Sequence, residues 1–189
     1  MSRASEIIVL CEDRLQDVFV QRFLKRGWGI KKPRVRVVAY PQSGSGGAGE
    51  KHVRDNYPNQ LKACRTRHAG TILIVVMDAD AGTVQEHHRE LERACGCAQP
   101  PVGVRQANEA VVHVIPKWHI ETWLAYLANG NVSEDRQYKS EYGFRGCESK
   151  CHQLVDRLAT ACKNGEQLAN VPDSLSRTCR EFERIRGLL

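Results

Sequence analysis

Three acidic residues stand where two apolar runs stop. "EIIVL" leads through Cys11 to Glu12, and "TILIVVM" leads directly to Asp78 and Asp80 in "MDADAG". Carboxylates held close together repel one another unless a positive charge lies between them. A hard divalent cation with oxygen ligands, Mg²⁺ or Mn²⁺, meets that need. The plainer reading is that Asp and Glu end strands because turns follow. A second chemical segment is "VIPKWHIETWLAYL". Glu121 is either a further acid of the same crevice or simply an acid at the positive end of a helix. Lys117 and His119 are candidates to face a phosphate, and His119 suits acid–base work near neutrality.

The two runs are rich in Ile and Val and read as buried strands. In an open parallel sheet ligands gather at the carboxyl ends of strands. If the first and third strands are neighbours, Glu12 meets Asp78 and Asp80. The remaining pattern supplies a scaffold for that: strands near 6–11, 35–40, 71–77 and 110–115, alternating with helices near 15–26, 50–68, 83–94 and 118–128. Pro58 predicts either that the second helix starts near it or that one helix ends at Tyr57 and another follows. Thr83 and Glu86 form a capping box for the third. Two more helices are expected near 149–163 and 174–186, after an irregular stretch over 129–147. The order βαβαβαβα predicts an α/β fold: a three-layer, Rossmann-like, mostly parallel sheet with helices on both faces and a helical C-terminal tail. The 189 residues suit one domain, with a core over about 6–128 and a C-terminal extension over about 148–189.

Composition narrows the field. The formal net charge of +6 favours a polyanionic partner such as DNA or RNA, without specifying one. No apolar stretch reaches a membrane span and no signal-peptide pattern opens the chain, so a cytoplasmic location is expected. Eight cysteines in such a chain predict no disulfide framework. Cys95, Cys97, Cys147, Cys151 and Cys162, with His152, lack the paired CxxC spacing of a zinc site. His87 and His88 are expected to be solvated. Arg14, Lys25, Arg26, Arg65 and Arg67 could extend a basic rim.

Gly44, Gly46 and Gly49 formally satisfy GxGxxG, but they follow the second strand and no acidic strand end comes after them at the required place. Glu50 stands where a Walker A loop needs lysine. The stretch reads instead either as a flexible turn over the crevice, with Gly46, Gly49 and Lys51 as candidate phosphate contacts, or as an ordinary solvated loop.

Glu12 after the first strand and Asp78-Ala79-Asp80 after a central one resemble the Toprim-like superfamily, which includes topoisomerase and primase domains and the nuclease halves of phage-defence ATPase systems. "IPKWHIETWLAYL" looks like the Pro-x-x-x-Ile-Glu-x-Trp-Leu element of small stand-alone members, and "PDSLSRTCREF" looks like their terminal helix. The resemblance implies Mg²⁺ on Glu12, Asp78 and Asp80, and adds weight to Glu121. It implies a metal-dependent nuclease, with a non-catalytic subunit of an ATPase partner or a small-molecule phosphoryl-transfer enzyme as alternatives. A homo-oligomer is a further expectation. Asp13 departs from the glycine many members carry after the glutamate, and Gly82 comes earlier than their usual spacing. No topoisomerase tyrosine arrangement or primase zinc ribbon is visible.

Overall fold

Four parallel strands form one sheet in the order β2-β1-β3-β4. They are β1 (Glu6–Leu10), β2 (Val35–Val37), β3 (Thr71–Val76) and β4 (Val111–Val114). The computed structural model describes residues 3–41, 48–67, 70–142, 148–166 and 168–189. Its helices are α1 (Arg14–Trp28), α2 (Ala48–Thr66), α3 (Val84–Cys97), α4 (Ile120–Asn129), α5 (Lys139–Tyr142), α6 (Glu148–Asn164) and α7 (Asp173–Arg184). Among the described residues no helix is long and apolar enough to cross a membrane.

The continuous apolar runs mark strands covered on both faces, and β3 is buried at every position. Alternate residues feed two cores. Ile7, Val9, Ile72, Ile74 and Val76 pack with Phe19, Phe23, Trp123, Val155 and Phe182 from α1, α4, α6 and α7. Ile8, Leu10, Leu73, Val75 and Met77 pack with Val53, Tyr57, Leu61 and Leu91 from α2 and α3. The result is a three-layer α/β sandwich with a C-terminal helical layer.

Three sequence expectations are corrected. Pro58 does not break α2. Val53, Tyr57, Leu61 and Cys64 form one buried stripe across it, and that burial outweighs one lost backbone bond. The segment after β2 enters α2 at Ala48, so Gly49 and Lys51 are helical rather than in a turn. Gly46 lies outside the described residues. Strand β2 is also shorter than its apolar run, ending at Val37 on the sheet edge.

Candidate metal centre

The direction of strand succession reverses between β1 and β3. From β1 the chain passes through α1 to β2 on one side, and from β3 through α3 to β4 on the other. Such a reversal opens a crevice at the strand ends. Leu10 of β1 pairs with Val75 of β3, so Glu12 and Asp78 emerge side by side.

Glu12 Oε1 accepts the Asp78 backbone N–H at 2.8 Å. The Glu12 N–H donates to Gln16 Oε1 at 2.9 Å, and Asp13 caps α1 by accepting from the Leu15 and Gln16 N–H groups. Asp13 thereby starts the helix. The first turn of α2 closes another side. A methyl group on Gly49 would lie 2.8 Å from Glu12 Cβ, so only glycine permits this approach. α4 arrives with His119 as its N-cap residue, whose side chain leaves the cap unmade. Its Nδ1 lies 3.2 Å from both Asp78 Oδ2 and Asp80 Oδ1. The N-termini of α1, α2 and α4 thus meet around the carboxylates, where their partial positive charge favours anions.

Electrostatics follow from this crowding. Burial, then the Asp78 charge, raises Glu12 to about 8, partly offset by the Asp78 N–H. Burial also raises Asp78, against the lowering effect of His119. His119 is raised, chiefly by its hydrogen bond to Asp78. Glu121, in the first turn of α4, is buried and raised by that burial, with the Asp78 charge adding to it. Asp78 Oδ1 is buried without a hydrogen-bond partner. Carboxylate oxygens of this kind are what Mg²⁺ or Mn²⁺ takes. Yet among the described residues those of Glu12, Asp78 and Asp80 are not drawn together within 4.8 Å of one another: Glu12 is held on the Asp78 N–H and both aspartates on His119.

The connecting loop is strained and tied down. Asp80 has φ 44° and Trp118 φ 64°, and the two form an antiparallel bridge. Lys117 Nζ donates to the carbonyls of Asp80 at 3.1 Å and Gly82 at 2.6 Å. Lys117 therefore clamps the aspartate loop. Arg65 pairs with Glu109 and Arg67 with Glu6, at the opposite end of the strands from the carboxylates.

Of the histidines after the aspartates His87 is buried, contrary to the sequence expectation, and His88 is half-buried. α3 turns them inward: His87 Nε2 meets the Ala79 carbonyl at 3.1 Å, and His88 Nδ1 meets His113 Nδ1 at 3.0 Å. Glu50, His87 and Glu90 come together as a group that sequence reasoning missed. The spacing of His87 and Glu90 on one helix face was readable; their meeting with Glu50 needs α2 packed on α3. Cys162 is paired with Cys179, a single link between α6 and α7 that the sequence reading did not name. Cys95 is buried, Cys97 exposed and Cys151 buried, while Cys147 lies outside the described residues.

Comparison with protein-family models, curated proteins and solved structures gave no match.

Proposed function

We propose that the chain is a Toprim-like, divalent-metal-dependent nuclease that hydrolyses phosphodiester bonds of DNA or RNA in the cytoplasm. The observation that carries this reading is the pairing of Glu12 with Asp78 at the sheet's reversal point, beside Asp80 and the orphaned Asp78 Oδ1. Glu12, Asp78 and Asp80 would hold Mg²⁺ or Mn²⁺, which when bound neutralises a scissile phosphate and stabilises the leaving oxygen. His119 holds both aspartates in place. Glu121 is a buried acid close enough to Asp78 to feel its charge, and so is suited to hold or move a proton. The three helix N-termini orient an anionic substrate.

A second reading has one observation in its favour. Lys117 is engaged on the aspartate loop, and Arg65 and Arg67 lie at the far end of the strands, which leaves fewer of the expected cations at the crevice to grip a nucleic acid. That favours a subunit completed by an ATPase partner, as in phage-defence systems, or by a second copy of the chain. The test is Mg²⁺-dependent cleavage of single- and double-stranded DNA and RNA by wild type and by Asp78→Asn/Asp80→Asn. Cleavage lost in the folded double variant supports the nuclease. Cleavage unchanged in it excludes the site. An inactive wild type that co-purifies with a stoichiometric ATPase supports the second reading.

A further inference from the structure

We infer that Glu50, His87 and Glu90 form a separate binding site for a first-row transition-metal dication, with Zn²⁺ the expected tight ligand. One ligand atom from each lies within 4.8 Å of the others. His87 is 8% exposed, and its Nδ1 is buried without a hydrogen-bond partner. Its Nε2 faces the Ala79 carbonyl, which only accepts, so Nε2 carries the hydrogen. Such a bond to the far nitrogen fixes the tautomer of metal-binding histidines. Nδ1 lies 3.0 Å from Glu90 Oε2, yet the oxygen is not placed to receive a hydrogen bond from it. Two ligands of one tetrahedral ion stand roughly 3.3 Å apart and flank the ion instead of pointing at each other. One imidazole with two carboxylates suits Zn²⁺ better than Mg²⁺, which dehydrates reluctantly.

Arg54 is the competitor. Its Nη1 contacts Glu50 Oε1 and lies 3.4 Å from Glu90 Oε2. It is partly exposed, one helical turn beyond Glu50, so an entering ion can displace it outward. An ion here would join α2 to α3 and, through His87 and Ala79, brace the aspartate loop.

The experiment uses the full chain carrying Asp78→Asn/Asp80→Asn, so that the carboxylate centre does not contribute. Zn²⁺ is titrated calorimetrically, and Co²⁺ is followed by visible absorption. The expected result is one ion per chain, lost on adding Glu50→Gln/Glu90→Gln, and bound roughly tenfold tighter with Arg54→Gln. Circular dichroism establishes that each variant is folded. No binding in the parent and the Arg54→Gln variant alike would overturn the site. So would unchanged binding in Glu50→Gln/Glu90→Gln, or a thiolate–cobalt charge-transfer band placing the ion on cysteine. Because activity is not the readout, failure of the nuclease reading leaves this result independent.

Discussion

Glu12→Gln should stabilise the metal-free protein at neutral pH. In the folded chain Glu12 is raised to about 8 from 4.5, so between those values the folded state binds more protons than the unfolded one. Its contribution to stability is therefore present at low pH and lost as pH rises through that window. At pH 7 ionisation favours the unfolded chain over about 2.5 pH units, on the order of 3 kcal/mol at roughly 1.36 kcal/mol per unit. Partial solvent access reduces this to about 1–3 kcal/mol. Glutamine keeps an oxygen for the Asp78 N–H and removes the charge. Thermal unfolding in chelator should then show the variant melting higher by roughly 3–9 °C near pH 7. The gap should close toward pH 4.5, and Mg²⁺ should raise the melting point of wild type but not of the variant. A variant that melts at or below wild type in chelator at pH 7 would refute the reasoning.

Gly49→Ala should cost about 1–3 kcal/mol, because the new methyl group meets Glu12 Cβ and the helix must shift; urea unfolding reads the loss, and Mg²⁺ affinity should fall with it. Trp123→Ala should cost about 3–5 kcal/mol by the same measurement, since the fully buried indole also donates to Ser174 Oγ and links α4 to α7. Chelation should leave the far-ultraviolet circular dichroism unchanged, because two apolar cores hold the sheet without a cation.

The strands, the helix order and the capping box at Thr83 were legible in the sequence because they depend on local periodicity and on caps three residues away. Glu12 and the Asp78–Asp80 pair were legible for the same reason: each follows an apolar run that could only be a buried strand. Packing decided the rest. The fate of Pro58 turned on a stripe buried against the sheet. Lys117 and His119 read as groups free to face a phosphate, yet each is drawn onto the aspartate loop by a residue distant in sequence. Lys117 reaches back 37 positions to Asp80, and His119 reaches back 41 to Asp78. Glu50 meets His87 and Glu90 only because α2 lies on α3. Contacts between elements distant in sequence carry no periodicity, so the tertiary structure alone reveals them.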